Sequence, residues 1–96
     1  MKIDFSKNND TLLIGLEGRL DTITAPEFEE FLNSNLSDIN VVILNCEKLA
    51  YISSAGLRVL LSLNKKLKDN FLLVNVQEVV MEVFDVTGFV DILNIK

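Results

Sequence analysis

Two short aliphatic runs, Val41-Val42-Ile43-Leu44 and Phe71-Leu72-Leu73-Val74, constrain this chain more than any other feature. Each is too short for a helix and shows no polar face, the pattern of a strand covered on both sides. The stretch between them has a different period. Leu57, Val59, Leu60, Leu61, Leu63 and Leu67 cover a wide arc of a helical wheel, and Arg58, Ser62, Lys65 and Lys66 share the wet side. Strand, helix and strand in that order require a right-handed crossover between parallel strands.

The same logic extends to both ends. Ile3 and Phe5 alternate with polar residues, Asn8-Asn9-Asp10 is turn chemistry, and Leu12, Ile14 and Leu16 alternate again. The reading is an antiparallel hairpin, with Gly15 marking a bulge or a close backbone approach. Thr24-Ala25-Pro26-Glu27 reads as a capping box with Pro26 in the first turn. Ala25, Phe28, Phe31, Leu32 and Leu36 then form one helical stripe. The helices before and after Val41–Leu44 are expected to supply its two covering layers. Lys65, Lys66 and Lys68 fall where cations suit a helix C-terminus. Asn75 is placed to cap a third helix with Glu78 three residues on. Val79, Val80, Val83, Phe84 and Val86 give its apolar face, and Gly88 its stop. Val90 to Ile95 leaves room for a short edge strand. The expected class is α/β: a mixed sheet with an antiparallel N-terminal hairpin and helices packed on it.

Composition closes off most chemistry. The 96 residues fit a single domain, 1–96, and 49% are hydrophobic, enough for a packed core. There is no histidine, so neither a Ser-His-Asp nor a Cys-His site can be built within the chain. The one cysteine, Cys46, excludes an internal disulfide and makes a zinc site improbable; it reads as an inert, half-buried thiol. No Gly-rich loop with a lysine is present for nucleotide phosphates. The expectation is a binding protein, not an enzyme, without cofactor or metal. A net charge of −5 and the absence of a basic block argue against nucleic acid and anionic lipid as partners. No apolar run approaches the length of a membrane span, and the N-terminus has no apolar signal segment, so a cytoplasmic location is expected.

In an open parallel sheet, sites gather beyond the carboxyl ends of the strands. Ser54 is expected there, where the third strand gives way to the second helix. Asp21 and Thr22 are expected at the same end, after the second strand. Ser54 reads either as a plain N-cap worth ~1 kcal/mol or as a hydroxyl poised for a phosphate at a helix N-terminus. Ser53 reads as a turn residue and Asp21 as a loop residue bonding its own backbone. Leu57 reads first as core.

Three segments carry a resemblance. Gly18-Arg19-Leu20-Asp21-Thr22-Ile23-Thr24-Ala25, Leu44-Asn45-Cys46-Glu47-Lys48-Leu49-Ala50-Tyr51-Ile52-Ser53-Ser54-Ala55-Gly56-Leu57 and Val83-Phe84-Asp85-Val86-Thr87-Gly88-Phe89 lie in that order over nearly the whole chain. Together they resemble the STAS domain, and most closely the stand-alone bacterial anti-sigma factor antagonists. The middle segment is similar to the family's phosphosite loop. The resemblance implies an antagonist that binds an anti-sigma factor serine kinase when unphosphorylated. Phosphorylation of the serine two residues before the loop glycine, here Ser54, releases it, and a serine phosphatase reverses the change. Ser53 stands where well-known members have Asp, which makes it the alternative acceptor. The implied partner surface is Asp21, Thr22, Ser53, Ser54, Ala55, Gly56, Leu57 and Arg58, on a chain expected to be monomeric when free. The sequence ends at Lys96, short of the further C-terminal helix of many members, so one covering layer is expected to be thinner. A second function fits the same family: a non-phosphorylated STAS subunit that packs on a transporter ATPase or another multi-protein assembly.

Overall fold

The computed structural model describes residues 1–96. Strands β1 (Lys2–Asn8), β2 (Thr11–Leu20), β3 (Val41–Ile52), β4 (Phe71–Val74) and β5 (Asn94–Ile95) alternate, after the hairpin, with helices α1 (Ala25–Asn35), α2 (Ser54–Leu67) and α3 (Glu78–Thr87). The sheet order is β1-β2-β3-β4-β5, antiparallel between β1 and β2 and parallel thereafter. The expected α/β architecture and N-terminal hairpin are both present. The predicted edge strand is only two residues long and follows a 3-10 turn at Phe89–Asp91.

The strand order decides where the helices go. Three crossovers of one hand, each stepping to the next strand in the same direction, place every helix on the same face of the sheet. The inward set is Leu12, Ile14 and Leu16 from β2, Val42, Leu44 and Cys46 from β3, and Phe71 and Leu73 from β4. It meets Phe28 and Leu32 of α1, Leu57, Leu60 and Leu63 of α2, and Val80 and Phe84 of α3 in one cluster of 22 buried residues. The expectation of cover on both faces is therefore corrected: Leu13 is exposed, and Ile43, Leu72 and Val74 are only half-buried. A four-residue aliphatic run in a parallel sheet need not be buried twice when the strands are wound one way.

β3 is also far longer than its aliphatic run suggests. Gly15 pairs with Asn45 but Glu17 with Lys48, and Gly18 pairs with Leu49 but Arg19 with Tyr51. At each shift β3 carries one more residue than β2. Of the bulge or close backbone approach expected at Gly15, the first shift is the bulge, with its extra residue on the partner strand, and a Cβ at Gly15 would meet nothing within 4 Å. Each extra residue resets the pleat, and Leu49 and Ile52 return to the core at a spacing of three.

Three end details differ from expectation. Thr24 stands at the N-cap of α1 but makes no capping bond, because its hydroxyl is engaged elsewhere. The N-cap of α3 is Gln77; Asn75 instead takes a left-handed φ of 57° and donates to Asn45 Oδ1 at 3.1 Å. Val79 and Val86 of α3 are exposed rather than part of its core face. Gly88 ends α3 with a φ of 80°, as its position predicted, and Lys65 and Lys66 occupy the last turn of α2 with Lys68 just beyond it.

Candidate phosphoswitch site

The site is built where β2 and β3 end together. Leu20 and Ile52 are register partners, and each closes its strand. The Ser53 amide then donates to the Leu20 carbonyl at 2.9 Å, extending the ladder by one bond and tying the two loops at their roots. One residue separates β3 from α2 and four separate β2 from α1, so both helix N-termini open at this end.

The two serines have opposite surroundings. Ser53, not Ser54, is the N-cap of α2, with extended backbone at φ −106° and ψ 178°. Its Oγ is buried without a hydrogen-bond partner and makes no capping bond. Ser54 is the first helical residue and is exposed. The cap reading of Ser54 is thus corrected: at that position the hydroxyl is free of the backbone it was expected to satisfy. Arg58, also exposed, lies four residues on along the same helix face.

Gly56 is buried between the sheet and the first turn of α2. A Cβ there would stand 2.8 Å from Ile52 Cγ1, 2.8 Å from Leu20 Cγ and 2.9 Å from the Leu20 carbonyl oxygen. The glycine lets the helix start lie directly on the end of β2. Leu57 is buried and Ala55 half-buried. Among the expected contact residues, Thr22, Ser54 and Arg58 are exposed and Asp21 and Ser53 partly so, whereas Gly56 and Leu57 offer no free side chain.

The β2–α1 loop is held by its own side chains. Asp21 Oδ1 accepts from the Ile23 amide at 3.0 Å and the Thr24 amide at 3.1 Å. Thr24 Oγ1 accepts from the Asp21 amide at 2.9 Å. Its single proton goes to the Arg19 carbonyl at 2.7 Å rather than to Asp21 Oδ1 at 3.3 Å. Asp21 Oδ2 lies 3.5 Å from Arg19 Nε, and the Arg19 guanidinium carbon sits 4.1 Å above the Tyr51 ring centroid. The Thr24 amide, more than any other partner, holds the Asp21 carboxyl below its ordinary pKa of 3.8, helped by Ile23, the Thr24 hydroxyl and Arg19 against partial desolvation. The ionised form therefore favours the folded loop. That contribution is complete above about pH 4 and disappears as pH falls through the lowered value. In an NMR titration, the Asp21 carboxyl carbon should turn over below 3.8, and the Ile23 and Thr24 amide resonances should move with it.

Cys46 lies away from this chemistry. Its thiol is fully buried on the core face of β3, and burial pushes its pKa up to about 12. The half-buried thiol of the sequence reading is in fact a core side chain.

Residues 2–96 match the STAS domain family. The chain belongs to that family. A Bordetella bronchiseptica protein named as anti-sigma factor antagonist BtrV is 33% identical over 96% of this chain and 83% of its own length. The anti-sigma-B factor antagonist of Staphylococcus epidermidis is 28% identical over 100% of this chain and 93% of its own. Among solved structures, the anti-sigma factor antagonist SpoIIAA in its unphosphorylated form superposes with a TM-score of 0.82 at 20% identity, covering 99% of this chain and 88% of that one. Bacillus SpoIIAA in its phosphorylated form gives 0.74 at 19% identity, covering 99% of this chain and 91% of that one. The architecture of this STAS domain is that of those antagonists.

One exposed element of the site was not singled out from sequence. Ile23, between Thr22 and Thr24, is 86% exposed. An isolated aliphatic residue inside a polar loop was the available signal.

Proposed function

We propose that this STAS domain is an anti-sigma factor antagonist of a partner-switching pathway, with Ser54 as its phosphoacceptor. The unmodified protein binds an anti-sigma factor serine kinase in the cytoplasm through Ser54, Asp21, Thr22, Arg58 and the exposed part of Ser53. The kinase transfers the γ-phosphoryl group of ATP to Ser54 Oγ. ADP leaves, the hydroxyl proton is lost, and the complex separates. A serine phosphatase hydrolyses the phosphoester and restores the binding form. The chain acts as a regulatory binding partner and contributes no catalysis of its own.

The observation that carries this reading is the contrast at the start of α2: an exposed Ser54 hydroxyl on the first helical residue, beside a Ser53 Oγ buried without a partner. A phosphoryl group can be transferred only to an oxygen that the kinase can reach, and of the two serines Ser54 is the exposed one. The names of the relatives and the existence of SpoIIAA in both forms support the assignment.

Incubation with the kinase and ATP, followed by intact mass and peptide mapping, tests it. Wild type and Ser53→Ala are expected to gain one phosphate and Ser54→Ala none. A Ser54→Ala variant that gains a full phosphate would show the acceptor to lie elsewhere. Wild type that takes no phosphate, but co-purifies stoichiometrically with a transporter ATPase, would establish the packing-subunit function instead.

A further inference from the structure

The most exposed large apolar side chain in the protein stands on one of its most constrained loops. Ile23 is 86% exposed, ahead of Val86 at 79% and Val79 at 55%. A hydrophobic side chain in water on a mobile loop would carry little information. Here the backbone is fixed on both sides of it. Asp21 Oδ1 holds the Ile23 and Thr24 amides. Thr24 Oγ1 ties the Asp21 amide to the Arg19 carbonyl. The Ala25 amide donates to the Asp21 carbonyl at 2.8 Å. The root of the loop is the Leu20 carbonyl, which also receives the Ser53 amide. Ile23 is thus projected from a rigid apex beside the helix start that carries Ser54.

We infer that Ile23 is the apolar anchor of the interface, seated in an aliphatic or aromatic pocket of the kinase next to its nucleotide site, and that Asp21 is a positioning residue that holds it there. This rests on the proposed role of Ser54. Two physical arguments lead to it. An anchor whose backbone is already fixed has only its side chain left to order on association, which lowers a cost that flexible contacts pay in full. Second, binding energy at interfaces concentrates in a few apolar or aromatic side chains that fill pockets. The Asp21 carboxylate is less suited to be that anchor, because one oxygen is occupied by two amides and the other faces Arg19. The pocket must adjoin the kinase's ATP site, because Ser54 has to reach the γ-phosphate while Ile23 is seated.

The test compares wild type, Ile23→Ala, Ile23→Val and Asp21→Ala, using the purified kinase as the probe, calorimetry for Kd and steady-state phosphorylation of Ser54. Ile23→Ala is expected to raise Kd roughly thirtyfold, ~2 kcal/mol when converted by RT ln K. KM for phosphorylation should rise alongside and kcat stay within about twofold, the signature of lost binding rather than lost chemistry. Ile23→Val should stay within about threefold of wild type, because it keeps most of the apolar contact. Asp21→Ala should follow Ile23→Ala while leaving the Ile23 side chain in place. Thermal melts should show Ile23→Ala unchanged. If wild type binds and Ile23→Ala binds within about twofold of it, the anchor assignment falls and the Ser54 role stands. A fall in kcat at constant KM would also overturn the anchor, assigning Ile23 to alignment of Ser54. If wild type neither binds the kinase nor takes phosphate, the function and the anchor fall together.

Discussion

Ser54→Asp is expected to melt at or slightly above the wild-type temperature and to lose kinase affinity by more than about a hundredfold, ~3 kcal/mol. The stability half follows from position. Ser54 is the first residue of α2, no acidic residue occupies that first turn, and Arg58 lies four residues on. A negative charge at a helix N-terminus is favourable by ~0.3–1 kcal/mol, and an acidic residue four before an arginine adds ~0.2–0.5 kcal/mol. For a chain of this size that is a rise of a few degrees, at about 4–8 °C per kcal/mol. A phosphate carries ~−1.5 to −2 charges at pH 7 and should act in the same direction. The effect on function therefore has to arise at the interface. There a surface shaped for a neutral hydroxyl would have to desolvate an anion close to Asp21, whose ionised form the loop favours. Ser54→Ala should keep both melting temperature and affinity. Calorimetric titrations and thermal melts on wild type, the two variants and the phosphorylated protein decide the matter. Should the Asp variant and the phosphorylated protein both bind as tightly as wild type, exclusion by charge is not the mechanism. Should the Asp variant unfold, the serine is structural and the switch has to be abandoned.

Gly56→Ala is expected to be the most damaging conservative substitution in the site, costing about 2–3 kcal/mol and about 10–20 °C in Tm. In a helix, alanine is ordinarily favoured over glycine by ~1 kcal/mol, so the sign here is set by space. Two of the atoms that a Cβ would meet at 2.8 Å are side-chain carbons of Ile52 and Leu20, each part of a fully packed core residue. The third is the Leu20 carbonyl oxygen at 2.9 Å, a backbone atom already accepting the Ser53 amide. Relief requires lifting the first turn of α2 off the end of β2, which breaks that bond and displaces Ser54. Urea denaturation of Gly56→Ala against Gly15→Ala is a sharp comparison, because a Cβ at Gly15 meets nothing within 4 Å. Equal stability of the two variants would show that the contact at Gly56 yields easily. Loss of kinase binding should accompany loss of stability at Gly56 and be absent at Gly15.

The serine-to-glycine spacing thus has two causes. The hydroxyl is needed for chemistry, and the glycine two residues later is needed for the helix to begin close enough to the sheet. From sequence the glycine served only to count back to Ser54. Its contact with Leu20, 36 positions earlier in the chain, is a tertiary fact.

Local pattern determined the elements and their order. The periods of Leu12–Leu16, Phe28–Leu32, Leu57–Leu67 and Phe71–Val74 survive in the folded chain, because each element buries one stripe and the stripe is written in adjacent residues. The place of Ser54 at the sheet's end followed from the same order. What the sequence left open depends on contacts between distant residues. β3 runs eight residues past its aliphatic start because bulges against β2 return Leu49 and Ile52 to the core, and a period broken by bulges resembles neither strand nor helix. The open face of the sheet arises from one-directional strand order, a choice invisible in any single strand. The difference between Ser53 and Ser54, neighbours of identical chemistry, is one of burial. It was decided only when the end of β3 closed against Leu20 and turned one hydroxyl inward and the other toward solvent.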